Sequence, residues 1–276
     1  MPVTFQKAKS GLRRRVDTTL RTMLSPELPL PAKLRFIRQG FRKRLPPSGS
    51  YKLGFKGGEI VLSYANNETD RNVVWDVFIN RCYKTDFRMS AVVDIGAHKG
   101  YFGAYALMHG AERVLSYEPE RENFRLLTET SRSFRGQESE WETHRSAVAS
   151  SPGEVELRVD PESWAHSLSS LNPSAVTPET DVQIVACAAM TDVLQSAIRS
   201  SAGRRLIVKI DAEGAECEIV LKTPVESWQS VSEVFVEVHD FAACSATQLA
   251  DHLRQAGLDL VSERFGVLHM VRSPCP

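Results

Sequence analysis

The sequence predicts a doubly wound α/β sheet, and three observations carry that expectation. Beyond Tyr51, strand-like apolar segments alternate with helical ones. Two of the strand segments, AVVDI and RLIVKID, run apolar into an acid, as expected of central parallel strands covered on both faces. The first leads directly into a glycine turn. In such sheets ligands sit beyond the carboxyl ends of the strands, so chemistry is sought in the residues that end each strand.

In chain order, residues 1–50 form a basic arm. They hold 12 Lys or Arg against Asp17 and Glu27, a charge of +10, while the remaining 226 residues carry −10 and bring the total to zero. Leu12, Val16, Leu20 and Leu24 are spaced by four, which predicts a short amphipathic helix over 11–24. Pro26, Pro29 and Pro31 interrupt it, a second basic helix is predicted over 32–44, and Pro46-Pro47-Ser48-Gly49 reads as a linker. The second domain is expected over 51–276. It opens with a strand pair around 52–64 and a helix over 71–80. Strands are then predicted at 91–95, 113–118, 141–148, 206–211, 233–239, 258–263 and 267–272. Helices are predicted at 101–109, 121–134, 190–200, 213–222 and 245–256.

With 42% apolar residues the chain can bury a full core. No stretch approaches the roughly 18 uninterrupted apolar residues of a membrane span, and charges stand where a signal peptide needs its apolar run. The expectation is a soluble, cytoplasmic protein. Cys82, Cys187, Cys217, Cys244 and Cys275 show no metal or redox spacing, and their odd number argues against a fully paired framework. They are expected to be reduced thiols.

The first strand end reads Asp94-Ile95-Gly96-Ala97-His98-Lys99-Gly100. A dinucleotide fingerprint needs a glycine where His98 stands, because that glycine lets the pyrophosphate approach the backbone. D-x-G-x-x-x-G instead suits a nucleoside without pyrophosphate, such as S-adenosylmethionine. The second end places Glu118 22 residues after Gly96, where a carboxylate can accept both hydroxyls of a ribose. A surface pair with Arg121 or Arg125 is the alternative. The third end, IVKIDAEGAECEIV, crowds Asp211, Glu213 and Glu216 around Gly214. Such crowding is costly unless a cation, a basic ligand or a proton compensates. The fourth, VFVEVHD, brings Glu237, His239 and Asp240 beside them.

DIGAHKG, the YEP strand end, SLSSL at Ser167 to Leu171, IVKIDAEGAE and VEVHD, in this order and spacing, resemble the FkbM-type S-adenosylmethionine-dependent methyltransferases. The resemblance covers about 71–272 and not the arm. It implies a Rossmann-like class I methyltransferase fold, a seven-stranded doubly wound sheet with the last strand antiparallel. It also implies methylation of a hydroxyl on a sugar or polyketide-like natural product. Lys99 departs from the family pattern, where small or aliphatic residues are frequent.

On this reading Asp94, Gly96, His98 and Gly100 face the methionine end of the cofactor, and Glu118 its ribose. Ala147 and Val148 match the family position beside adenine, and Asp211 lies where cofactor and acceptor meet. His239 is the expected base, with Asp211 or Glu213 to orient or replace it. The same three residues are alternatively expected to hold a divalent cation such as magnesium. The stretch Pro161 to Pro178, with Trp164 and His166, is expected to form a lid or a surface loop. The expected partner is a small-molecule or glycan acceptor, anionic or carrier-bound, which the arm would attract; no nucleic acid is expected. Two rival classes are a nicotinamide oxidoreductase and a non-catalytic nucleoside-binding module. The first lacks the glycine at His98 and a Tyr-x-x-x-Lys pair; the second would not retain the acids at 211–216.

Overall fold

The structure is a computed structural model that describes residues 20–25, 30–40, 48–55, 58–65, 67–135, 139–159, 167–168, 181–239 and 242–273. It divides into two compact units, Met1–Arg81 and Cys82–Pro276. The expected domain start at residue 51 therefore falls inside the first unit.

In the first unit residues 20–24 are helical, the only part of the first expected helix among the described residues. Helix α1 (Leu30–Gly40) carries Pro31 in its opening turn, where a missing N–H removes no hydrogen bond. Strands β1 (Gly49–Phe55) and β2 (Gly58–Tyr64) form the expected antiparallel pair. Their alternate residues Tyr51, Leu53, Ile60, Leu62 and Tyr64 are buried. Helix α2 (Asn67–Trp75) starts earlier than expected and runs into a π turn at Asp76–Asn80. Its early start has a local cause: Asp70, in the first turn, accepts the Ala65 N–H at 3.0 Å.

The second unit holds the seven-stranded sheet. Its strands are β3 (Ser90–Ile95), β4 (Arg113–Tyr117), β5 (Glu140–His144), β10 (Arg205–Ile210), β11 (Glu233–Glu237), β12 (Leu258–Arg264) and β13 (Val267–Arg272). They lie in the order β12-β13-β11-β10-β3-β4-β5. The central strands are parallel and β13 runs antiparallel to β11, as the resemblance implied. Helices α3 (Tyr101–Met108), α4 (Arg121–Arg132), α5 (Met190–Ser201), α6 (Glu216–Leu221) and α7 (Ala246–Gln255) connect them.

Burial explains why the central strands read as continuous apolar runs. Val93, Val208, Ile210, Val234 and Val236 pack in one cluster with Met190, Val193 and Leu194 of α5 and Leu249 and Leu253 of α7. Alternate residues point the other way. There the packing is aromatic: Tyr83 lies edge-on to Phe102 of α3 and Phe235 of β11, with centroids 5.0 and 5.8 Å away.

Two expectations are corrected. The segment 141–148 is not one strand. It breaks at Arg145–Ser146, and β6 (Ala147–Ala149) leaves for a second sheet with β7 (Gly153–Val159), β8 (Ser167–Leu168) and β9 (Asp181–Ala189), in the order β6-β9-β7-β8. The strands β7 and β9 were not expected; only one of their faces is buried, so their apolar signal is half that of a central strand. The cysteines are not all reduced: Cys217 of α6 is bonded to Cys244 ahead of α7, with Cα atoms 5.7 Å apart. Cys82 and Cys187 take part in no disulfide among the described residues. Among the described residues no helix is long and apolar enough to cross a membrane.

Candidate active site

The glycine turn is stitched to its neighbours by backbone. The N–H groups of Gly96 and Ala97 both donate to the Tyr117 carbonyl at 3.0 Å, and Asp211 N–H donates to the Ile95 carbonyl at 3.1 Å. A Cβ on Gly96 would stand 1.6 Å from the Asp211 carbonyl oxygen, so only glycine permits this approach. Gly100 serves packing: with φ +86° it precedes α3, and a Cβ there would meet Leu127 at 2.8 Å and Trp141 at 3.1 Å. Between them His98 takes a left-handed conformation, φ 51°. Lys99 is fully buried, its Nζ 2.9 Å from His98 Nε2, so the residue that departs from the family pattern is absorbed beneath the turn.

Glu118 ends β4 opposite this turn. Its Oε2 accepts the His98 N–H at 2.8 Å and its Oε1 the Glu120 N–H at 2.9 Å, fixing the carboxylate between two backbone donors. Burial pushes its pKa up to about 8, although both hydrogen bonds act to lower it. The alternative surface pairing with Arg125 is not formed, since that guanidinium engages Glu122 and Glu129. A buried carboxylate with lone pairs to spare beside a glycine turn fits the diol of a ribose. Ala147 and Val148 are buried in β6. Asp94 is buried beneath the turn, 3.4 Å from Lys209 Nζ.

On the other side of the sheet's midline the acids are brought together and divided by role. Glu216, fully buried at the start of α6, accepts the Ala212 N–H at 2.8 Å on Oε1 and the Gly214 N–H at 2.9 Å on Oε2. It closes the turn on which Glu213 sits in a left-handed conformation, φ 49°. His239 Nδ1 lies 3.1 Å from Glu216 Oε1. His239 Nε2 faces Glu213 Oε2 at 3.4 Å and Asp211 Oδ1 at 3.8 Å. Burial alone would lower the His239 pKa; the hydrogen bond to Glu216 and the charges of Glu213, Glu216 and Asp211 outweigh it and push it up to about 9. Burial, with Asp211 next to it, pushes Glu213 up to about 8. The same two causes push Glu237, which accepts the Tyr83 hydroxyl at 2.5 Å, up to about 7.

Sequence reasoning missed Lys209 and Tyr83. Lys209 carried a signal, a lone cation inside an apolar central strand, which has to be paired when buried. Asp240, Trp164 and His166 lie outside the described residues, as does the expected lid apart from Ser167–Leu168.

The Methyltransferase FkbM domain matches residues 94–260, more than half of the chain and the whole of this site. The chain belongs to the FkbM methyltransferase family. No curated protein matches it. Among solved structures it is similar to methyltransferase FkbM from Methylobacillus flagellatus, at 14% identity and TM-score 0.49, over 71% of this chain. The chain spans about half the length of that FkbM protein, 47%. It is also similar to a SAM-dependent methyltransferase from Agrobacterium tumefaciens, at 9% identity and TM-score 0.42, over 84% of this chain and 72% of that one. A third similar structure is magnesium protoporphyrin IX methyltransferase from Synechocystis with bound SAM, at 12% identity and TM-score 0.33, over 75% and 79% of the two chains.

The acids could also be asked to hold a metal. Asp211, Glu216 and His239 offer ligand atoms within 4.8 Å of one another, a set with Glu216 in place of the expected Glu213. Their present bonds fit a cation poorly. Glu216 Oε1 already faces the Ala212 N–H at 2.8 Å, the Gly214 N–H at 3.2 Å and His239 Nδ1 at 3.1 Å, which fills its acceptor sites, and Lys209 Nζ sits 3.2 Å from Asp211 Oδ2. Lys209 beside Asp94 and Asp211 offsets part of the negative charge, and the raised pKa values of Glu213 and Glu237 favour their protonated forms.

Proposed function

We propose that the protein transfers the methyl group of S-adenosylmethionine to a hydroxyl of a small-molecule or glycan acceptor, of sugar or polyketide-like type. The observation that carries the reading is Glu118, a buried carboxylate clamped against the glycine turn at 2.8 Å from the His98 N–H. Around the cofactor, Glu118 accepts the ribose hydroxyls and the 96–100 turn lies along the methionine half, with Ala147 and Val148 beside adenine. S-adenosylmethionine supplies an electrophilic methyl on sulfur, displaced in line by the acceptor oxygen.

The chain's own task is to remove the hydroxyl proton. His239 takes it at Nε2, with Glu216 holding Nδ1 and with Glu213 and Asp211 facing Nε2. An imidazole with pKa near 9 is mostly charged at neutral pH, and a bound sulfonium would favour its neutral, basic form by repulsion. A chelator is expected to leave turnover unchanged. The +10 arm gives the reading an anionic or carrier-bound acceptor, attracted over a distance that salt shortens.

Calorimetric titration with S-adenosylhomocysteine and separately with NAD tests the reading. Binding of the first and not the second is expected. NAD binding alone would favour the oxidoreductase. Release of S-adenosylhomocysteine across a panel of hydroxylated acceptors then separates an enzyme from a binding module.

A further inference from the structure

Lys209 is 3% exposed one residue before the carboxyl end of β10, directly opposite Asp94 in the register of β3. Its Nζ donates to the Gly96 carbonyl at 2.8 Å and the Ile95 carbonyl at 3.3 Å. The same nitrogen lies 3.4 Å from Asp94 Oδ1 and 3.2 Å from Asp211 Oδ2, and 5.9 Å above the Tyr83 ring. A buried ammonium with three N–H bonds is thus shared between two backbone carbonyls of the glycine turn and the acids of two strand ends. Charge balance for Asp94 alone would not require those carbonyls.

We propose that Lys209 is a positioning residue for methyl transfer, tying the turn at Gly96 to Asp211 so that the cofactor side and the acceptor side of the site keep one fixed spacing. The proposal rests on the cofactor reading above. Gly96 and Asp211 already meet with no room for a Cβ, and Lys209 is the side chain that holds both from beneath. Asp211 in turn presents its other oxygen to His239 at 3.8 Å, so the tether runs from the glycine turn to the expected base.

The test compares Lys209→Met with Lys209→Arg by calorimetry of S-adenosylhomocysteine from pH 6 to 9. Lys209→Met is expected to fold, because Asp94, whose pKa burial already raises, can take a proton. It should bind about ten- to a hundredfold more weakly, the worth of a hydrogen bond to a charged group. Glu118 faces the N–H groups of His98 and Glu120, the Glu120 charge and the Lys209 charge, and of these two charges only Lys209 favours its ionised form. Loss of that charge should therefore move the pH at which affinity is gained upward, while Lys209→Arg keeps the wild-type profile. Wild-type affinity in folded Lys209→Met, or weaker binding with an unmoved profile, overturns the proposal. If Lys209→Met does not fold, Lys209→Gln replaces it, and failure of both to fold makes Lys209 a residue of the fold and overturns the proposal too. Absence of binding in the wild type would instead overturn the cofactor reading itself.

Discussion

Glu216 and His239 are held together across the ends of neighbouring strands, Nδ1 3.1 Å from Oε1. Glu216 spends its remaining capacity on the N–H groups of Ala212 and Gly214, so the histidine is anchored to a turn rather than to a mobile side chain. If His239 is the base, His239→Ala should lower kcat by about 10² to 10⁴ and leave S-adenosylhomocysteine affinity nearly intact. Full activity in that variant would leave catalysis to alignment alone.

The same anchoring sets a pH dependence for the reaction. With His239 pushed up to about 9, the basic form grows from pH 7 toward 9, and kcat/KM should rise with it. A profile already flat above pH 7 would mean that another group takes the proton.

Glu118→Ala removes the carboxylate fixed by His98 and Glu120. Affinity for S-adenosylhomocysteine should fall about ten- to a hundredfold, the range for hydrogen bonds to a charged group. Unchanged affinity would take Glu118 out of the site.

The cofactor-free protein should lose stability as pH rises. Glu118, Glu213 and Glu237 have folded pKa values of about 8, 8 and 7 against 4.5, and His239 about 9 against 6.5. Each is raised, so each contribution is complete below the unfolded value and is lost as pH climbs through the folded one. All four act in the same direction between pH 5 and 9. A Tm measured by scanning calorimetry at constant ionic strength should fall across that range, and a rising Tm would contradict the burial of these acids.

The Cys217–Cys244 bond closes a segment with a sequence separation of 27. On the chain-entropy account its loss should cost roughly 3.5 kcal/mol. Urea unfolding of Cys217→Ser/Cys244→Ser against the oxidised wild type checks this, and equal midpoints would show that the bond adds no constraint.

What the sequence by itself determined is the sheet and the places where chemistry collects. Central strands covered on both faces must be apolar throughout, so AVVDI and RLIVKID were legible, and the acids that end them marked the ligand edge. The glycine turn, Glu118 and the acids around Gly214 could be read because each depends on short-range spacing. Tertiary structure alone decided how those acids divide their work. Glu216 resembles Glu213 in sequence, yet Glu216 is tied to backbone N–H groups and to His239 Nδ1 while Glu213 faces Nε2, a difference set by the turn at Glu213 and Gly214. It also decided that Lys209 joins two strand ends, that Cys217 meets Cys244 and that β6 leaves for a second sheet. These depend on partners tens of residues away or on half-buried strands, where local pattern carries little information and packing makes the choice.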